Sequence, residues 1–225
     1  MDTRRCMQWG AGLAMLGVAG AALAWEQGDV LLRAGPAAVW PNDDSGEVRP
    51  IIGGEVEVGD GYALGLTAAY MVTDRIGVEL VLATPFKHDL DADGALEAAG
   101  VDEVGSIKHL PPTLSVQYYP AMPADVPMQP YAGIGLNYTT FFDEDADRDL
   151  EAAVGSTDLE LDDSWGLAAQ VGLDVPIGER WLANVALWYI DIDTEAELAT
   201  AGAGHLDVDV DIDPWVGMIG VGYRF

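Results

Sequence analysis

In the stretch "DVDVDIDPWVGMIGVGYRF", residues 207–225, every second residue is an aspartate as far as Asp213. After Pro214 the same register carries Trp215, Ile219, Val221, Tyr223 and Phe225. Such alternation fits a strand, whose side chains point to opposite faces in turn, so one face keeps its identity along the whole length. A face that is carboxylate at one end and aromatic or aliphatic at the other must cross from one solvent into another. With Phe225 at one rim, Trp215 stands about 25 Å higher for a strand tilted ~40° and rising ~3.3 Å per residue, the height of the apolar band of an outer-membrane barrel. Pro214 then marks the membrane surface. The same switch recurs after Tyr189, at Asp191 and Asp193.

The rest of the chain carries the same period. Alternating segments at about 28–40, 61–73, 76–86, 106–120, 129–142, 159–177, 181–197 and 205–225 read as eight strands. Short links at 73–75, 121–128 and 178–180 alternate with longer acidic links at 41–60, 87–105, 143–158 and 198–204. Short inner turns and long outer loops are the rhythm of an eight-stranded antiparallel transmembrane β-barrel of the bacterial outer membrane. A soluble sandwich also alternates, but it buries large residues and exposes charged ones. Here Trp165, Leu167, Val171 and Leu173 oppose Ser164, Gly166, Ala168, Gln170 and Gly172, and such small or amide residues suit the narrow interior of a small barrel. Strand ends carry Trp40, Tyr62, Tyr118, Trp165, Trp181, Tyr189, Trp215 and Tyr223, the aromatic girdles of both interfaces.

Composition agrees. A formal net charge of −28 argues against nucleic acid as a partner, since phosphates require Lys and Arg. An acidic disordered chain is disfavoured by 50% hydrophobic residues with 7 Trp and 8 Tyr. The four outer segments, 42–60, 87–105, 143–163 and 191–213, hold 30 of the 38 acids. Residues 1–24 pair Arg4 and Arg5 with an apolar run and Ala22-Leu23-Ala24, the pattern of a cleaved secretory signal peptide, which leaves 25–225 as one barrel domain. Cys6, the single cysteine, lies in that leader, so no disulfide framework is expected. The chain ends on Tyr223 and Phe225, read as a C-terminal signal to the barrel assembly machinery.

Parity assigns the lumen. Arg33, Glu79, Gln117, Asn137, Gln170, Asp174, Asn184 and Arg224 fall on inward faces, most near the periplasmic strand ends. Buried charges must be paired, so a polar network closing the lower lumen is expected, either as a stabilising plug or as a proton relay. Higher up, Val81, Trp188, Ile190, Ile192, Leu206, Val208, Val210 and Ile212 point inward as an apolar lining. Pro111-Pro112 interrupts one strand; proline lacks the ladder donor, so the pair marks either a side opening into lipid or a tolerated kink. Asp89, Asp91, Asp93 and Gly94 begin like a calcium loop, but Gly100 stands where a bidentate Glu is needed, which makes solvated carboxylates the better reading. His88, His109 and His205 fall into no Ser/His/acid pattern, so neither catalysis nor a cofactor is expected. The acidic surplus reads either as adaptation to salt or as a holder of divalent cations bridging to lipopolysaccharide.

The blocks "GVELVLATPFKH" (77–88), "HLPPTLSVQYY" (109–119), "PYAGIGLNYTTFFD" (130–143), "DSWGLAAQVGLD" (163–174), "WYIDIDT" (188–194) and "DPWVGMIGVGYRF" (213–225) resemble the outer-membrane protein W (OmpW) family. The resemblance spans about Gly28 to Phe225. It implies an eight-stranded outer-membrane barrel in lipid and lipopolysaccharide, whose narrow, largely hydrophobic lumen helps small hydrophobic solutes cross. Val81 and Trp188 map onto the family's apolar constriction. A structural or receptor-like barrel without through-passage is the alternative. The outer loops depart from the family in being far more acidic.

Overall fold

The computed structural model describes residues 25–42, 54–98, 100–123, 125–201 and 204–225; residues 1–24, expected from the sequence as a leader, lie outside them. Fourteen strands occur among these residues: β1 (Val30–Trp40), β2 (Gly54–Val58), β3 (Gly61–Thr73), β4 (Ile76–Ala83), β5 (Phe86–Gly94), β6 (Glu103–Leu110), β7 (Thr113–Tyr118), β8 (Gln129–Ala146), β9 (Thr157–Leu161), β10 (Ser164–Pro176), β11 (Trp181–Ile190), β12 (Asp193–Thr200), β13 (Gly204–Asp211) and β14 (Trp215–Arg224). Two short helices, α1 (Ala95–Ala98) and α2 (Arg148–Val154), sit among the outer links.

Eight of the strands close a barrel. The order β10-β11-β14-β1-β3-β4-β7-β8 is completed by pairing of β8 with β10, and every pair is antiparallel. Closure leaves no free edge, the condition for a sheet surrounded by lipid. The faces follow the parity of the sequence. Trp165 is 75% exposed, Ile134 74% and Ile219 69%, while Thr67, Glu79, Gln117, Asn137 and Asp174 are buried inside. In water this arrangement would be inside out; in a bilayer it is the stable one. Two of the periplasmic links, β3–β4 and β10–β11, are tight turns. Thr73 Oγ1 accepts from the amides of Arg75 and Ile76, and Gly178, with φ 107°, supplies the left-handed residue of the turn that returns Ile177 to Trp181.

Above the membrane the sense of the faces reverses. β5 pairs with β2 and β6, β6 pairs with the top of β8, and β9, β12 and β13 form a separate three-stranded sheet. Between these two sheets lie Val56, Leu90, Ile107, Leu198, Val210 and Ile212, while Asp89, Asp91, Asp158, Glu160, Glu195 and Glu197 face outward. The segments 41–60, 87–105 and 143–158, expected as acidic links, therefore contain strand β2, most of β5 and the end of β8. Aspartate is a poor strand former, yet cross-strand partners hold it there because Leu90 and Ala92 gain burial on the opposite face.

Candidate functional site

The lumen has three levels. At the lowest, Arg33 is the hub. Its guanidinium forks onto Asp174, Nε to Oδ1 at 2.9 Å and Nη2 to Oδ2 at 2.6 Å, and reaches Glu79 Oε1 at 3.0 Å and the Tyr119 hydroxyl at 3.1 Å. Tyr119 donates to Gln117 Oε1 at 2.6 Å, and Asn184 Nδ2 donates to Asp174 Oδ1 at 2.8 Å and to the Tyr131 hydroxyl at 3.1 Å. The guanidinium also lies 5.1 Å from the centre of the Tyr131 ring. Strand register explains the meeting. Asp174 and Asn184 are direct cross-strand partners, Arg33 faces Thr67 on β3, and Glu79 lies beside Ala69 one inward step below Thr67. Tyr131 can lean across because its neighbour Gly172 has no Cβ; one added there would lie 2.7 Å from the Tyr131 ring at Cε1.

Of the eight polar residues expected in one network, Arg33, Glu79, Gln117, Asp174 and Asn184 form it. Gln170 borders it, donating to Ser115 Oγ at 2.6 Å. Asn137 belongs to a higher group, donating to Thr113 Oγ1 at 2.9 Å and accepting from Thr139. Arg224 points inward but stays at the periplasmic rim, 3.8 Å from Asp29 and above the Trp25 ring. Tyr119, Tyr131, Ser115 and Thr67 were not singled out from the sequence, although the parity of their strands marks them as inward.

The middle level is a cavity of about 30 Å³ lined by Val81, Phe86, Pro111, Trp188, Ile190 and Met218. Val81 and Trp188 thus share one chamber. The barrel wall beside it is interrupted. The β4–β7 ladder ends at Val81 and Thr113 and the β5–β6 ladder begins at Phe86 and His109, so no ladder pair joins residues 82–85 to residues 110–112. Three prolines, Pro85, Pro111 and Pro112, remove donors there, and Thr84 bonds instead to Leu64 of β3 through its amide and its hydroxyl. The other side of the proline pair stays closed, since the Tyr138 amide donates to Pro112 O. Leu82 and Ala83, which pair with β3 but have no partner across the gap, also line the cavity. Pro85 went unnoticed in the sequence because it sits inside an otherwise alternating run.

The upper level is the wholly apolar space between the two outer sheets, about 20 Å³, to which Val210 and Ile212 contribute; Ile192 is buried below it. The side chains of Leu206, Val208, His205 and Asp93 lie outside the described residues. Two histidines stand among the aromatic rings above the middle cavity. His88 and His109 stack at 4.8 Å between ring centres, and Phe86 and Phe141 flank His109 at 5.5 and 5.9 Å. Burial lowers the pKa of both. His109 falls to about 3, the nearness of His88 adding to the effect, whereas His88 is partly supported by the Gly59 carbonyl at 2.5 Å and by Asp60 and Asp89.

Outside the lumen, Asp89 and Asp91 lie on the exposed face of strand β5, and Asp89 pairs with Lys87 at 2.8 Å. A strand spreads alternate carboxylates along a line instead of wrapping them round an ion, so the calcium-loop start at Asp89, Asp91 and Asp93 does not form a loop. Asp191, Asp193 and Asp213 do converge at the outer membrane surface, their oxygens within 4.8 Å of one another. Partial burial, with Asp191, Asp211 and Asp213 close by, raises the Asp193 pKa. Asp213 accepts from the Tyr189 hydroxyl and the Ile192 amide. At the opposite end Tyr223 packs between Trp181 and Phe225, and the Phe225 amide donates to Val30 O, which ties the last residue into the barrel seam.

The model of the OmpW family matches residues 26–225. Outer membrane protein W of Vibrio cholerae is 46% identical over 216 residues, covering 95% of this chain and 97% of that protein. Outer membrane protein W of Escherichia coli is 45% identical over 208 residues, covering 92% and 93%. The crystal structure of the outer membrane protein OprG from Pseudomonas aeruginosa superposes with a TM-score of 0.82 at 44% identity, covering 89% of this chain and 97% of that one.

Proposed function

Because the chain belongs to the OmpW family and is a barrel of the outer membrane, we propose that it passes small hydrophobic molecules from the outer medium into the bilayer. The solute enters the apolar space between the outer sheets, passes the aromatic layer to the middle cavity, and leaves sideways through the wall at Pro111 and Pro112. One observation carries this reading: the apolar chambers lie above a filled polar plug, and the lower one is lined by Leu82, Ala83 and Pro111 of the unpaired wall. Arg33, Glu79 and Asp174 block the straight route to the periplasm, because a solute would have to strip a buried ion cluster of its partners. Val81 and Trp188 act as the constriction, where an apolar neck excludes water but admits an apolar solute.

The same plug supports a second reading, a structural or receptor-like barrel without passage. Uptake of an apolar solute into proteoliposomes, with bilayer conductance recorded alongside, separates the two. Passage predicts faster uptake by Trp188→Ala than by wild type, since the neck widens. Absence of uptake in both proteins leaves the structural reading.

A further inference from the structure

Four buried nitrogens on or beside the apolar path have no hydrogen-bond partner among the described residues: Trp188 Nε1 in the wall of the middle cavity, and His88 Nε2 and both ring nitrogens of His109 in the aromatic layer above it. All belong to side chains at most 2% exposed. Leaving a buried donor or acceptor unpaired is costly, whereas an apolar ring of the same shape can be nearly neutral or stabilising. Phenylalanine at these positions would serve a path for hydrocarbons alone at lower cost. Trp188 lines the middle cavity, and His109 stacks on Phe86, which lines it too. Held neutral by its burial, the His109 imidazole offers one donor and one acceptor.

Resting on the passage proposed above, we propose that this stretch recognises uncharged apolar molecules carrying a hydroxyl group, whose oxygen pairs with His109 and then accepts from Trp188 Nε1. A hydroxyl both donates and accepts, so it fits a neutral imidazole in either tautomer and the indole N–H equally. A pure hydrocarbon leaves every one of these nitrogens unpaired. A carboxylate or ammonium would meet no charged residue in the lining of either cavity and would be buried without a partner. The apolar walls take the hydrocarbon body.

Equilibrium binding of radiolabelled benzyl alcohol and toluene to the folded protein in lipid nanodiscs, each corrected for partition into protein-free discs, tests the assignment. Wild type is expected to favour the alcohol by about five- to tenfold, the worth of one net hydrogen bond. Trp188→Phe and His109→Phe, each verified as folded by heat-modifiable migration, are expected to lose most of that preference. Equal corrected binding of the two compounds by wild type, or a preference that survives in both variants, overturns the hydroxyl assignment and leaves the passage standing. Binding of neither compound overturns the passage itself and the assignment with it.

Discussion

Replacing Arg33 with methionine removes the one cation among the groups that close the lower lumen and leaves the fully buried Glu79 and Asp174 carboxylates facing each other's charge. Breaking a buried ion pair from one side costs about 3–5 kcal/mol. The upper end applies here, because two carboxylates share the lost cation and Arg33 makes four of the hydrogen bonds that hold the cluster. Asn184 stays on Asp174 and softens the loss without replacing the charge. Urea unfolding of the barrel from lipid vesicles measures the effect. Arg33→Met combined with Glu79→Gln and Asp174→Asn is expected to recover much of the stability, since no buried charge then remains unpaired. An Arg33→Met protein within about 1 kcal/mol of wild type, or a triple variant no more stable than the single one, would refute the assignment of the plug as a charge-balanced cluster.

The histidine layer makes the outer half sensitive to acid. The unfolded His109 titrates near the ordinary value of 6.5 and the folded one near 3, so stability is complete above pH 6.5 and declines as the pH falls towards 3. At pH 5 the loss is about 2 kcal/mol, visible in opening free energies from hydrogen exchange in β5 and β6; a similar decline in His109→Phe would contradict the cause. On the outer sheet Glu197 stands opposite Glu160. Opposed like charges destabilise a sheet, so Glu197→Lys should raise the thermal midpoint at low salt. That gain should vanish near 1 M NaCl, where screening acts within ~3 Å; a gain that persists would point to packing instead of charge.

Much of this architecture was legible because a strand's two faces are written in alternate residues. Parity alone put Arg33, Glu79, Asp174 and Asn184 inside, and the change of character at Pro214 falls at the break between β13 and β14. What parity lacks is height and partnership. Asn137 and Gln170 share an inward face with the plug residues, yet register lifts Asn137 to the level of Thr113 and leaves Gln170 at the border with Ser115. The histidine stack was invisible for the same reason: His88 and His109 lie 21 residues apart in sequence and meet only because β5 pairs with β6. The acidic segments misled by composition. Asp89 and Asp91 read as loop residues, whereas the signal for a strand was in the residues between them, Leu90 and Ala92, whose burial outweighs the weak propensity of their neighbours.

The exit into the bilayer is the centre of this account, and bridging the unpaired wall tests it most directly. With Ala83→Cys and Pro111→Cys placed on the two sides of the gap, a reducible bifunctional thiol reagent can pin residues 82–85 to residues 110–112 without touching the upper chamber or the plug. Uptake of an apolar solute by vesicles carrying this protein is expected to stop when the bridge forms and to return on reduction. Uptake that continues at the same rate with the bridge in place would contradict the lateral route.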